Sequence, residues 1–184
     1  MVRSYTLRQL KKYNATKNWK PRYKFEQIPT LEEVFTLLGN SIGINIEIKR
    51  ERTSKEQFDL LNKCVSLTHE YKMNDNVMFT SFSRRVVREV GTLNPRLFRG
   101  LLYDPYLPTF RSPVTSAKSL GVKYLILNWR GLHKKISCAV HSSNLLLGAY
   151  TINTTKQIER SMKYGIEAII TNYPSEVLAF LNRK

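Results

Sequence analysis

Two side chains in the stretch INIEIK, residues 44–49, are of the types that handle phosphate and metal ions: the carboxylate of Glu47 and the ammonium of Lys49. The stretch alternates as a strand does, with Ile44, Ile46 and Ile48 on one face and Asn45, Glu47 and Lys49 on the other. An ionised group on a strand packed against protein loses hydration worth several kcal/mol unless it is paired or ligates a cation. Two uses for Glu47 follow. It can serve as an oxygen ligand of a hard divalent metal, or it can pair with Lys49 across their shared face.

A second group of residues suits polyanions. From Met1 to Phe25 there is no acidic residue, and Arg3, Arg8, Lys11, Lys12, Lys17, Lys20, Arg22 and Lys24 are interleaved with Tyr5, Tyr13, Trp19 and Tyr23. Cations contact phosphates while aromatic rings stack on bases, so the mixture suits an RNA-binding arm. Arg84, Arg85 and Arg88 add a second basic cluster on a short helical stretch. The whole 184-residue chain carries 30 Lys and Arg against 14 Asp and Glu, a net charge of +16. A surplus of that size points to nucleic acid or an anionic membrane surface as partner. An organellar transit peptide is also basic and acid-poor, but the expectation is a retained arm over residues 1–25 and a folded domain over 26–184.

The remaining candidates carry less. His69, His133 and His141 all fall in helix-like stretches, where packing or surface roles are expected. Cys64 and Cys138 lack metal-type spacing and read as small core residues of an intracellular, reducing compartment, the mitochondrion included. No stretch approaches the roughly 20 apolar residues of a membrane span.

These residues must be positioned by alternating elements. Helices are expected at 28–39 (Thr30 and Glu33 as a capping box, Gly39 as the stop), 55–73, 83–91 with Ser83 as cap, 112–121, 130–144, 155–165 and 174–183. In the second of these, Phe58, Leu61 and Val65 share one face. Strands are expected at 44–49, 76–82, 99–104, 122–129, 145–153 and 166–174. Such alternation implies a parallel sheet with right-handed crossovers, of about six βα units. That is an α/β fold two strands short of an eight-stranded (β/α) barrel of the TIM type.

In their order, these segments resemble the glycerophosphodiester phosphodiesterase family, a (β/α)8 barrel group. IPTLEEVFTLL leads into INIEIK, TSF at 80–82 is similar to the family's strand-end Ser-Phe, and the tail is similar to its last two strand units. The family's Trp-Thr-Val-Asn reads here Tyr150-Thr151-Ile152-Asn153, and its Gly-Val-Asp-x-Ile-x-Thr-Asp-x-Pro reads Gly165 to Pro174, with Asn172 in place of Asp. The resemblance implies that Glu47 falls on a carboxylate ligand of the family's calcium or magnesium. It places Lys49 near the substrate phosphate and Tyr150 at a substrate-wall Trp. The family's His-Arg-Gly, Glu-Asn-Thr, Glu-x-Asp and second-histidine motifs have no counterpart upstream of Tyr5. One carboxylate does not hold a cation that takes six or more oxygens, so no cofactor is expected unless the chain works as an enzyme.

Three expectations follow. The first is a catalytically degenerate barrel with Glu47, Lys49 and Tyr150 as remnants of the pocket. It would serve as a structural, RNA-binding subunit of an assembly such as a mitochondrial ribosome, with neighbouring subunits over its open edge. The second is a split metal-dependent phosphodiesterase completed by another chain. The third is a basic protein that meets anionic lipid headgroups.

Overall fold

The structure is a computed structural model that describes residues 2–16, 25–50, 53–106 and 112–182. Its frame is six parallel strands in sequential order: β1 (Ile44–Glu47), β2 (Val77–Ser81), β3 (Phe98–Tyr103), β4 (Tyr124–Asn128), β5 (Leu146–Tyr150) and β6 (Ala168–Ile169). Helices join them and lie on the outer face: α3 (Ser54–Glu70), α4 (Arg84–Leu93), α5 (Pro113–Leu120), α6 (Lys134–His141) and α7 (Thr155–Met162). They are preceded by α1 (Leu7–Leu10) and α2 (Leu31–Leu38) and followed by α8 (Pro174–Leu181). The sheet curls into the larger part of a TIM-type barrel, as its βα alternation requires.

The helices start where their sequences dictate. Thr6/Gln9, Thr30/Glu33, Thr53/Glu56 and Thr154/Gln157 each form a capping box, in which the threonine hydroxyl and the side chain three residues on satisfy each other's orphan N–H groups. Pro113 and Pro174 open α5 and α8, where a missing N–H costs nothing. Gly121 ends α5 in the left-handed conformation.

Strand alternation separates two faces. Val77, Phe79, Leu101, Leu125, Leu127, Leu147 and Ala149 point outward and are buried under the helices. One cluster is built around Phe35, Leu61, Val86 and Phe79, the other around Leu125, Leu127, Val140 and Ile158. Each buried branched side chain contributes about 1.5–3 kcal/mol. Register puts Asn45, Met78, Phe98, Tyr124, Leu146 and Ala168 on the inner face. Leu102 and Ile126 are also buried but belong to neither cluster; they fill the middle of that inner face.

Several expectations need correction. The final strand covers only Ala168–Ile169, although the Glu167 and Ile170 amides on either side also donate to β5. The 130–144 stretch divides into a 3-10 turn at Trp129–Gly131 and α6. Phe58 is exposed; the inward face of α3 is Gln57, Leu61, Cys64, Leu67 and Thr68. Cys64 is buried as expected, but Cys138 is exposed on α6, and both thiols are free.

Candidate functional site

The C-terminal ends of the strands carry the chemistry-bearing side chains. Glu47 closes β1, and Lys49 lies two residues beyond the strand end, its Nζ 2.7 Å from Glu47 Oε1. The Ile48 amide still donates to the Thr80 carbonyl at 2.8 Å, so the segment stays locked to β2. The Ser81 hydroxyl reinforces this, donating to the Ile48 carbonyl at 2.7 Å and accepting from the Ser83 amide at 3.1 Å. Ser83 then caps α4 through the Val86 amide. The result is a cavity of about 420 Å³ lined by Glu47, Lys49, Arg50, Phe82, Ser83 and Arg84, among others. Among the described residues that line it, three are cationic and one is a carboxylate, a balance that favours an anion.

Tyr150, at the end of β5, reaches the same mouth. Its hydroxyl donates to the Tyr103 carbonyl at 3.0 Å, and its ring meets Phe82 edge to face at 5.7 Å. Phe82 follows β2, so this pair spans the inside of the curl. Burial first, then the negative charges of Asp104 and Glu47, push the Tyr150 phenol well above the usual tyrosine value. Asp104 is itself held, accepting from the Tyr106 amide at 3.0 Å and from Asn128 Nδ2 at 3.4 Å. Asn153 ties the neighbouring unit together, accepting from the Asn172 amide at 3.0 Å and from Thr171 Oγ1 at 3.3 Å.

Glu47, Lys49 and Tyr150, the pocket residues expected from the sequence, lie together at one end of the sheet. Arg50, Asp104 and Asn128 are not among the expected residues. Asp104 and Asn128 stand at or just after strand ends, the one signal that would have found them. The expectation for His133 needs correction: it is the N-cap of α6 in the connection after β4, with Nδ1 accepting from the Ile136 amide at 3.3 Å. His69 and His141 are helical. His69 contacts Asn74, and His141 Nε2 lies 3.1 Å from Glu167 Oε1.

Several of the described basic side chains are already engaged. Lys11 is bonded to Glu33, which docks α1 on α2, and Tyr5 packs edge to face on Tyr13 at 5.7 Å. Arg84 donates to Ser116 and Arg85 pairs with Glu89 at 2.7 Å, while Arg8, Lys12 and Arg88 are exposed. Lys17, Lys20, Arg22, Lys24 and the side chain of Arg3 lie outside the described residues. Among the described residues, no helix is long and apolar enough to cross a membrane.

Calcium and magnesium take six or more oxygens. Glu47 is engaged by Lys49 and Asp104 by Asn128, and no group of three or more His, Cys, Asp or Glu converges among the described residues. The described donors alone do not fit such an ion.

Comparison with known proteins places this geometry. A glycerophosphodiester phosphodiesterase of Caldanaerobacter subterraneus subsp. tengcongensis is 30% identical over 186 residues, covering 100% of this chain and 73% of the relative. An Oleispira antarctica phosphodiesterase, solved in complex with the product sn-glycerol-3-phosphate, superposes with a TM-score of 0.85 at 19% identity, covering 99% of this chain and 72% of that one. A Silicibacter pomeroyi structure superposes with a TM-score of 0.80 at 18% identity; it covers 85% of this chain, which spans only 57% of its length. Residues 1–176 match the glycerophosphoryl diester phosphodiesterase family, and the chain belongs to it.

Proposed function

We propose that this chain is the phosphate-binding portion of a glycerophosphodiester phosphodiesterase-like barrel. It binds the anion of a glycerophosphodiester at the Glu47–Lys49 end. The observation that carries this reading is the cavity whose described lining includes Lys49, Arg50 and Arg84 with the carboxylate of Glu47, beside the Phe82–Tyr150 ring pair. Cationic donors hold the phosphate oxygens, and the two rings offer an apolar wall to the glycerol carbons. The relative that holds sn-glycerol-3-phosphate supports this choice of ligand. Hydrolysis needs further oxygen ligands and a positioned base, which this chain's described residues do not bring together. In this reading the described residues supply binding of the anion, and turnover calls for groups beyond them.

Calorimetric titration with sn-glycerol-3-phosphate, alongside a glycerophosphocholine hydrolysis assay with added Ca2+ or Mg2+, tests this. Binding weakened about tenfold or more by Lys49→Ala, with no turnover, is expected. Turnover abolished by Glu47→Ala would mean that the active site is complete, and absence of binding would remove the reading altogether.

A second reading, a structural subunit that binds RNA, rests on the net charge of +16 and on the exposed Arg8, Lys12 and Arg88. The relatives named above are bacterial and lend no support to a mitochondrial ribosome. RNA affinity that falls steeply between low and moderate salt and is lost on deleting residues 1–25 would favour it. Salt-independent or undetectable binding would dismiss it.

A further inference from the structure

The helices run back antiparallel to the strands, so α3 to α8 all begin at the C-terminal ends of the strands, around the mouth that holds Glu47 and Lys49. A helix start carries a partial positive charge and ordinarily draws acidic side chains. Here α4, α5, α6 and α7 have no acidic residue in their first turns. Instead α4 opens on Arg84 and Arg85, α6 opens on Lys134 and Lys135, and α7 places Lys156 second. The three lysines are exposed and form no ion pair among the described residues. Of the acids at this end, Glu56 is engaged in the capping box of α3 and Glu47 is paired with Lys49, while α8 adds Glu176. The lysines oppose the dipoles of the helices they start, so helix stability does not account for their gathering here.

Exposed rings share this end. Phe82 follows β2, Tyr106 follows β3 and Tyr173 follows β6; they are 41%, 71% and 50% exposed. After β4, the half-buried Trp129 ring holds the guanidinium of the exposed Arg130 at 4.9 Å, with that of Arg160 from α7 at 5.5 Å. Cation–π contacts of this kind keep charge at the rim. Rings spaced around a mouth do not make the groove along which single-stranded nucleic acid stacks successive bases. Tyrosines with an apolar body and a wet tip, mixed with lysine and arginine, suit the headgroup layer of a bilayer.

We propose that the C-terminal face of the sheet is a docking surface for an anionic phospholipid bilayer. The lysines at the starts of α6 and α7 meet the headgroup phosphates, and Tyr106 and Tyr173 enter the interfacial layer. Docking in this way turns the Glu47–Lys49 cavity toward the lipid. The contact is peripheral, since no helix among the described residues is long and apolar enough to cross a membrane. The surface stands on its own charges and rings, independently of the phosphodiesterase reading.

Co-sedimentation with vesicles of equal parts phosphatidylglycerol and phosphatidylcholine, against vesicles of phosphatidylcholine alone, tests it. The 184-residue chain should bind the first and not the second. Each cation beside an anionic surface strengthens partition about fivefold, so Lys134→Gln, Lys135→Gln and Lys156→Gln together should weaken it about a hundredfold. The same triple should leave the midpoint of urea unfolding unchanged or raised, because it removes charges that oppose helix dipoles. Lys72, Lys118 and Lys163 are exposed at the opposite ends of α3, α5 and α7, and replacing all three by Gln makes the same change in net charge. That variant should bind within about fivefold of the wild type, since the far end lies beyond the screening length. Absence of binding overturns the proposal, as does equal weakening by the two triples, which would reduce binding to net charge. Tyr106→Ala with Tyr173→Ala should lose the binding that survives moderate salt; if that binding persists, the rings do not enter the bilayer and the proposal falls. Poly-uridylate that displaces the protein from vesicles, and whose own binding only the mouth triple weakens, assigns the face to nucleic acid and also overturns it. Vesicle binding as expected without affinity for sn-glycerol-3-phosphate upholds the docking face and sinks the proposed function alone.

Discussion

Lys49 folds back at the end of β1 to place its Nζ 2.7 Å from Glu47 Oε1, with 80% of the lysine side chain and 37% of the glutamate side chain open to water. The pair thus neutralises a carboxylate on the inner face without burying either charge. It also leaves the ammonium at the rim of the cavity shared with Arg50 and Arg84.

Because water screens it, the pair contributes little to the fold. Exposed ion pairs are worth about 0.2–1 kcal/mol, so Glu47→Gln and Lys49→Ala should each shift urea unfolding by less than about 1 kcal/mol. Their effects on sn-glycerol-3-phosphate should be opposite in sign. Lys49→Ala removes a charge-assisted donor and weakens binding, while Glu47→Gln removes a repelling charge and tightens it. Isothermal titration of the two variants decides the matter; tighter binding in Lys49→Ala would mean that the phosphate sits elsewhere.

Tyr150 gives the mouth a pH dependence. Its phenol is pushed well above the usual value by burial, and further by Asp104 and Glu47, so the folded state holds this proton more tightly than the unfolded chain. The stabilisation is complete below the unfolded tyrosine value of about 10 and is lost as the pH rises above it, since ionisation then favours the unfolded state. Urea unfolding at pH 8 and at pH 10.5 should show a steeper loss in the wild type than in Tyr150→Phe. At pH 8, Tyr150→Phe should cost about 1 kcal/mol for the hydrogen bond to the Tyr103 carbonyl. Equal slopes would mean that the phenol is not held protonated by the fold.

Arg99 supports a prediction with a change of sign. Its guanidinium donates to the Leu120 carbonyl at 2.9 Å and to the Gly121 carbonyl at 3.2 Å, capping the end of α5, and it lies against Gly91 of α4. Alanine in a helix interior is ordinarily better than glycine by about 1 kcal/mol. Here a Cβ at Gly91 would lie 2.1 Å from Nη1 and would displace the guanidinium from both carbonyls, a loss of about 1.5–3 kcal/mol. Gly91→Ala should therefore destabilise the wild type by about 1 kcal/mol and stabilise Arg99→Ala by a similar amount. A double-mutant cycle by chemical denaturation reads the reversal.

The parts of the fold that were legible in the sequence share a strong local signal. Ile44, Ile46 and Ile48 fix the faces of β1 by a period of two, and Thr30 with Glu33 marks the start of α2 before any tertiary contact is known. Phe58 misleads because its spacing fits a face centred on Leu61, yet α3 turns Gln57 and Cys64 inward instead, and only packing decides between the two. The short β6 and the capping role of His133 have the same origin. Residues 166–174 and 130–144 carry apolar runs compatible with longer elements, and local pattern alone does not say where these stop. Glu47, Lys49 and Tyr150 could be located because they sit in recognisable strand motifs. Asp104 and Asn128 carried only the weaker signal of lying at strand ends, and their contact follows from the pairing of β3 with β4.

The curl itself can be tested at Gly100. Alanine in place of a strand glycine is ordinarily favourable by about 0.5–1 kcal/mol. At Gly100 the added methyl group would lie 3.0 Å from Thr80 Cγ2 and 3.2 Å from Ile126 Cδ1, both on the crowded inner face. Overpacking of this kind costs about 1–3 kcal/mol, so Gly100→Ala should destabilise the chain. Thr80→Ser removes the obstructing methyl while keeping the hydroxyl that donates to Asn45 Oδ1 at 3.0 Å. In that background the cost of Gly100→Ala should fall to well under half, as measured by urea unfolding of the four proteins of the cycle. If Gly100→Ala proves stabilising with Thr80 intact, the inner face is not packed at mid-height, and the barrel arc is flatter than the register of β2, β3 and β4 requires.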